Sequence, residues 1–399
     1  MKKKLFHKIK LFLGIGIQIF IISVSFQNCD SNNKLTTNTP TPSPTPPSTP
    51  TPTPSPVDDS SDPLCSTVDL ESAMTSTLNS VSVKNEFSFL VERPDGRQFS
   101  YNRGSSSLND LYQSASTSKL VSAVIILRAV DKGYLTLDSK PQDYIKNGST
   151  VIWSIASTKP LYNYITLRKL LSFTSGFTST DTDVLCLSNA TSDFQACANN
   201  VGYVNRDKPL PTTPQFYYSS AHLQVAGLMA IKASGASSWQ DLFTQFKNET
   251  GLFASSTYDL PSATNPRLAG GMHWKATEYF AFLKAFKNGA LLSPSLMNEM
   301  ISDQTPTADL AYSPLIVALN EAWHYGFGSW QECQSSTYNC TPGTRISSPG
   351  AYGSYPYWDR SKNYIGLVAN QATATGNFPE GISIERSVRS QVESWIDCH

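Results

Sequence analysis

From Thr39 to Pro56 the chain alternates threonine or serine with proline almost without a break. Proline locks φ and carries no N–H, so such a run joins neither a helix nor the inside of a sheet. It adopts extended polyproline II, and at about 3.1 Å per residue it spans roughly 50–60 Å. Any folded body must therefore come from residues 58–399, which suffice for one large domain or two small ones. The chain is 40% hydrophobic, so that body can bury a sizeable core.

What precedes the proline run reads as an export signal. MKKKLFHKIK is a basic start, and a near-continuous apolar stretch follows from Leu11 to Phe26. The stretch falls short of the about 20 apolar residues a spanning helix needs. It ends in Ser25-Phe26-Gln27-Asn28-Cys29, which resembles a bacterial lipoprotein signal. In such signals the cysteine is acylated and becomes the mature N-terminus. An uncleaved signal anchor is the alternative. The expected layout is a signal at 1–28, a tether at 29–57 and a folded domain at 58–399. A proline-rich run can also serve as a ligand for recognition modules, but directly behind a lipid anchor it reads as a tether.

Removing residues 1–28 takes away five lysines and no acid, leaving 26 basic and 31 acidic residues, a net charge of −5. No basic stripe remains to suggest nucleic acid as a partner.

The seven cysteines are an odd number for an exported chain. Acylation of Cys29 leaves six, enough for three disulfides in an oxidising compartment. Proximity suggests Cys186–Cys197 and Cys333–Cys340, with Cys65 then meeting Cys398. Free buried thiols are the alternative. No C-x-x-C or H-E-x-x-H occurs, so no metal site is expected.

Asp62-Pro63 looks like a helix start, and Val68, Met74, Leu78 and Val81 give a helical stripe. Strand patterns cover Phe87 to Val91 and Arg97 to Tyr101 around a Pro94-Asp95-Gly96 turn. An apolar helix is predicted from Leu120 to Val130. Residues 140–300 read as helical or irregular. Strand patterns return at Tyr325 to Trp330, Tyr352 to Trp358 and Tyr364 to Ala369, and a last amphipathic helix spans Ile382 to Ile396. This order predicts an α/β fold: a sheet assembled from both chain ends, flanked by terminal helices, with a mostly helical subdomain inserted.

Chemistry is suggested by Ser114-Ala115-Ser116-Thr117-Ser118-Lys119. Residues three apart share a helix face, which places Ser116 beside Lys119. A serine hydroxyl needs a base, and a lysine desolvated on an apolar helix can have its pKa lowered enough to serve. A helix N-terminus also favours developing negative charge. Alone the S-x-x-K pattern is weak, since Ser31 to Lys34 matches it inside the tether.

Several further segments follow in a fixed order. They are Gly133-Tyr134-Leu135-Thr136-Leu137-Asp138, the run Thr166 to Gly176 (TLRKLLSFTSG), Phe216-Tyr217-Tyr218-Ser219-Ser220 with Gly227 beyond it, Ala269-Gly270-Gly271-Met272, and Asn288 to Leu292. With the Ser116 motif they make residues 65–398 resemble the serine β-lactamase and penicillin-binding-protein superfamily, closest to class C β-lactamases and their esterase relatives. The resemblance implies a β-lactamase-like fold and no cofactor. It implies that Ser116 is acylated, that Lys119 takes its proton, that Tyr218 passes a proton to the leaving group and that Ser220 hydrogen-bonds within this network. The backbone amides of Ser116 and Ala351 would form the oxyanion hole.

The family's third motif is normally Lys-Thr-Gly or His-x-Gly. Here Ser348-Pro349-Gly350 stands in its place, without a positive group. Arg345, Arg360 or His222 are candidates to supply that charge. The departure disfavours a β-lactamase or D-Ala-directed peptidase and favours an esterase or amidase acting on neutral substrates. A binding protein on a decayed hydrolase scaffold is the reading from another class. His324 and His273 read as structural. Tyr352, Tyr355, Tyr357 and Trp358 either line a cleft or pack the sheet.

Overall fold

The computed structural model describes residues 65–146, 152–153, 158–338, 343–373 and 375–398. The signal, Cys29, the tether, Asp62-Pro63 and Cys340 lie outside these residues. So does the expected Cys333–Cys340 pairing.

Among the described residues the main sheet has seven strands, antiparallel throughout. Their spatial order is Gln98–Asn102, Phe87–Glu92, Tyr364–Asn370, Tyr355–Asp359, Arg345–Ser347, Trp330–Gln331 and His324–Tyr325. N-terminal and C-terminal strands thus pair at Phe87–Glu92 and Tyr364–Asn370, as the sequence order predicts. Both are buried along their whole length, because helices cover both faces. Successive strand side chains point to opposite faces. Tyr357 meets Arg345, which is paired with Glu385 of the C-terminal helix Phe378–Asp397. Trp358, one residue on, meets Phe286 of the helix Ala276–Lys287.

The first helix, Thr67–Ser80, is capped by Ser66, whose hydroxyl accepts from the Asp69 amide at 3.2 Å. It packs against the C-terminal helix, and Cys65–Cys398 joins the two with Cα atoms 5.5 Å apart. Cys186–Cys197 also forms, with Cα atoms 5.4 Å apart.

Two predicted strands are shorter than expected. Tyr325 to Trp330 is not one strand but a hairpin. His324–Tyr325 turns through Gly326 and Gly328 to Trp330–Gln331, because Gly328 takes φ of +70° and the Gly326 amide bonds the Ser329 carbonyl at 2.9 Å. Tyr352 and Gly353 belong to a turn, and the strand begins only at Tyr355.

The inserted region is mostly helical, with small strands the pattern did not reveal. Leu111–Gln113, Met272–Lys275 and Thr257–Tyr258 form one sheet, and Gln215–Tyr217 pairs in parallel with Asp309–Tyr312. The first of these sheets delivers the chain to Ser114.

Candidate active site

Ser114 is fixed by its amide, which donates to the Met272 carbonyl at 2.8 Å. Ala115 then takes φ of +43°, a left-handed conformation that costs a non-glycine residue about 1–3 kcal/mol. A single 3-10 turn, Ala115–Thr117, runs straight into the buried helix Ser118–Asp131. The flanking hydroxyls hold this geometry. Ser118 Oγ donates to Ser114 Oγ at 2.7 Å, Trp274 Nε1 to Thr117 Oγ1 at 3.0 Å, and the Tyr279 hydroxyl to the Thr117 carbonyl at 2.8 Å. Several buried bonds at about 1 kcal/mol each offset the strained residue. Ser114, Thr117 and Ser118 are therefore structural, and Ser116 is the hydroxyl of this run that lines a cavity of about 440 Å³.

Lys119 is 3% exposed, and its Nζ donates to Ser116 Oγ at 2.8 Å and to the Ala269 carbonyl at 2.9 Å. Burial pulls its pKa down to about 7, with Asp181 opposing and Arg267 adding to the fall. The spacing-based expectation of a lysine beside Ser116 thus matches the geometry.

Tyr218 presents its ring 4.6 Å from Lys119 Nζ. Burial raises the pKa of its phenol, against the lowering effect of hydrogen bonds to Ser116 and Trp330, so it stays protonated. Trp330 stacks on it with centroids 4.9 Å apart, and Phe173 meets its edge at 5.5 Å. Phe173 also stacks on His222 and Tyr325 at 4.8 and 4.9 Å, which braces the tyrosine from behind.

The third wall follows the strand Arg345–Ser347. The hydroxyl of Ser348 donates to the Ser116 carbonyl at 3.1 Å, tying this wall to the turn that carries Ser116. Gly350 sits so close that a Cβ would lie 2.7 Å from the Ser114 carbonyl oxygen, so glycine alone fits there. Ala351 follows at the cavity wall, and its amide donates no hydrogen bond among the described residues. Ser116 stands in the opening turn of its helix, where amides lack intrahelical acceptors.

Four expectations need correction. Ser220 lines the cavity, but its hydroxyl and amide donate to Asp181 at 2.7 and 3.1 Å, not to the Ser116–Lys119–Tyr218 group. His222 is fully buried between Ser175 Oγ and the Tyr217 carbonyl, both at 2.9 Å, and burial lowers its pKa to about 3. Arg345 is buried against Glu385, Asp359 and Tyr364. Arg360 donates to the Thr344 carbonyl at 3.1 Å. None of these last three lines the cavity.

His324 bonds Asp303 at 2.6 Å and the Tyr338 carbonyl at 3.2 Å, and His273 bonds Asp259 at 2.6 Å, in keeping with structural roles. Of the four aromatic candidates, Tyr352 lines the cavity. Trp358 packs on Phe286, and Tyr355 and Tyr357 are buried in the sheet.

Sequence reasoning missed Asp181, Arg267 and Trp330, all of which line the cavity. Arg267 left one signal, a lone cation two residues before the Ala269-Gly270-Gly271 segment. Asp181, in an ordinary polar loop, left none.

The family model described as Beta-lactamase matches residues 93–383. No curated protein matches the chain. Among solved structures, a candidate β-lactamase from Bacteroides dorei DSM 17855 shares 22% identity and superposes with a TM-score of 0.63, covering 84% of this chain and 99% of that one. The D-amino acid amidase from Ochrobactrum anthropi SV3, complexed with L-phenylalanine amide, shares 15% identity at a TM-score of 0.61, covering 82% and 99%. A penicillin-binding protein from Bacillus halodurans shares 15% at 0.57, covering 81% and 98%. At these identities the likenesses show the fold, while the family model spans more than half of the 399 residues. The chain belongs to the Beta-lactamase family, within the serine β-lactamase and penicillin-binding-protein superfamily of hydrolases.

Proposed function

We propose that this protein is a serine hydrolase that cleaves esters or small amides through an acyl-enzyme on Ser116 and is displayed on a membrane surface by a lipid on Cys29. The observation that carries the reading is the buried Lys119 with its Nζ 2.8 Å from Ser116 Oγ and a pKa lowered to about 7. A base poised near the working pH is what general-base catalysis needs. The raised pKa of Tyr218 separates the roles: the phenol stays protonated and donates, and the lysine accepts.

Ser116 Oγ attacks the substrate carbonyl while its proton passes to neutral Lys119. The amides of Ser116 and Ala351 hold the oxyanion. Collapse breaks the bond to the leaving group, which takes a proton through Tyr218, and the proton held on Lys119 restores the phenol. Water then attacks the acyl-enzyme in the same way and releases the acid. The likeness to an amidase supports small amides as substrates. The hydroxyl of Ser348 in place of a cation weighs against β-lactams, and the ordered Ser116–Lys119 contact weighs against a decayed binding protein.

The test is the pH profile of 4-nitrophenyl butyrate hydrolysis by residues 58–399. Below the lysine pKa the base is protonated and idle, and above it the base is free. kcat/KM is expected to rise with pH along a limb centred near 7. Lys119→Met should lower kcat by about 10²–10⁴-fold and erase the limb. A flat profile from pH 5 to 9, or turnover of a chromogenic cephalosporin in preference to the ester, contradicts the proposal.

Two disulfides among the described residues suit an exported protein. With acylated Cys29, the full chain is expected in the detergent-extracted membrane fraction of a bacterial host, and Cys29→Ser in the soluble one. An unchanged distribution contradicts the anchor.

A further inference from the structure

The proton path through Tyr218 depends on where its hydroxyl points, and two side chains hydrogen-bond that oxygen, Ser116 and Trp330. An indole N–H only donates. Toward Trp330 the phenol oxygen therefore accepts, and its own proton must point elsewhere. That leaves the side of Ser116 and the cavity, where a leaving group would stand.

The fold holds Trp330 rigidly in this place. It opens the return strand of the hairpin begun by His324–Tyr325 and pairs with Ser347 on the neighbouring strand. It is 2% exposed and packs on Phe216, Trp323 and Tyr325, with ring centroids 5.6, 6.3 and 4.9 Å away. The hairpin turn is pressed onto the helix that carries Lys119. A Cβ at Gly328 would lie 2.6 Å from the Lys119 carbonyl oxygen and 2.6 Å from Ala123 Cβ. Indole and phenol lie 23° from parallel. The donor is thus in place before any substrate arrives.

Its charge suits the site as well. Negative charge develops on the Tyr218 oxygen as the proton leaves, and burial opposes that charge. A fixed N–H dipole stabilises it at no cost in reorganisation. Because the indole is neutral, it does so without lowering the pKa of Lys119 further, as a cation would. Ser348, in the third motif, is spent on the Ser116 carbonyl.

We propose that Trp330 is a positioning residue for proton transfer: its indole N–H aims the Tyr218 hydroxyl at the leaving group and stabilises the phenolate formed as the proton is given up. The proposal rests on the serine-hydrolase reading. In that step the bond from the acyl carbon to the leaving oxygen breaks and the phenol proton passes to that oxygen. The proton held on Lys119 then restores the phenol. Trp330 matters in proportion to the leaving group's need for a proton. A 4-nitrophenolate departs without one, and an alkoxide does not.

The test compares 4-nitrophenyl, phenyl and ethyl butyrate as substrates of the full-length protein in detergent. All three give the same acyl-enzyme, so differences in kcat/KM report acylation. Trp330→Phe keeps an aromatic ring and removes the N–H. A second variant carries benzothienylalanine at position 330, which replaces the N–H by sulfur at nearly the same volume. In both, kcat/KM for ethyl butyrate should fall about 10-fold or more, that for 4-nitrophenyl butyrate about 2-fold or less, and phenyl butyrate should lie between. An equal loss for all three esters in the benzothienylalanine variant would mark a packing role and overturn the proposal, as would no loss for any. A parent protein that turns over only the 4-nitrophenyl ester also overturns it, because no leaving group then depends on the phenol. Those results leave the hydrolase reading intact. Absence of turnover of all three esters by the parent defeats the underlying reading as well.

Discussion

On the proposed function, replacing Ser116 by alanine is expected to abolish ester turnover, with kcat falling roughly 10⁴-fold or more, as when serine hydrolases lose their nucleophile. The size follows from the surroundings. Lys119 Nζ is aimed at Ser116 Oγ, and the neighbouring hydroxyls of Ser114, Thr117 and Ser118 are buried in bonds that shape the turn. Ser220, another serine that lines the cavity, is committed to Asp181. The fold should barely notice. The side-chain bonds lost are those with Lys119, which keeps the Ala269 carbonyl, and with Tyr218, which keeps Trp330, while the Ser348 bond goes to the backbone of Ser116. Stability should therefore change by about 1 kcal/mol or less, read by urea unfolding. Retained turnover in a folded variant would remove Ser116 from the mechanism.

The largest effect on stability is expected at Arg345. Its side chain is 5% exposed and donates to Asp359 at 3.1 and 3.3 Å, and also to Glu385 and to the Tyr364 hydroxyl. Asp359 sits on a central strand and Glu385 on the C-terminal helix, so one guanidinium joins helix to sheet. Arg345→Met leaves Glu385, 1% exposed, with only Arg389 as its cationic partner among the described residues. Removing one member of a buried ion pair costs about 3–5 kcal/mol, largely because the charge left behind remains buried. The urea midpoint should fall accordingly with an unchanged slope. A midpoint within error of the parent would mean that the network contributes nothing net.

Both terminal regions were legible because their patterns are local. The strand Phe87–Glu92, its Gly96 turn and its return announce themselves within 16 residues, as does the closing helix. The pairing of that strand with Tyr364–Asn370 was inferred only from the bracketing order of elements and from two cysteines at opposite ends. Ser116 and Lys119 were legible because helical spacing by itself puts them together. Tyr218 came from a resemblance of motif, not from any periodicity. Asp181 and Arg267 were hidden for the opposite reason. They are 86 residues apart, both far from Ser116, and only the folded insertion brings them to one wall. Arg345 misled because a buried structural cation and a substrate-binding cation look alike in one dimension.

The most direct test of the account is the mass of the tryptic peptide that carries Ser116, after rapid acid quenching of residues 58–399 during turnover of 4-nitrophenyl butyrate. The account predicts a butyryl group on Ser116 that disappears as substrate is exhausted and never forms on Ser116→Ala. An acyl group on a different residue, or full turnover with Ser116 unmodified at every quench time, would contradict it.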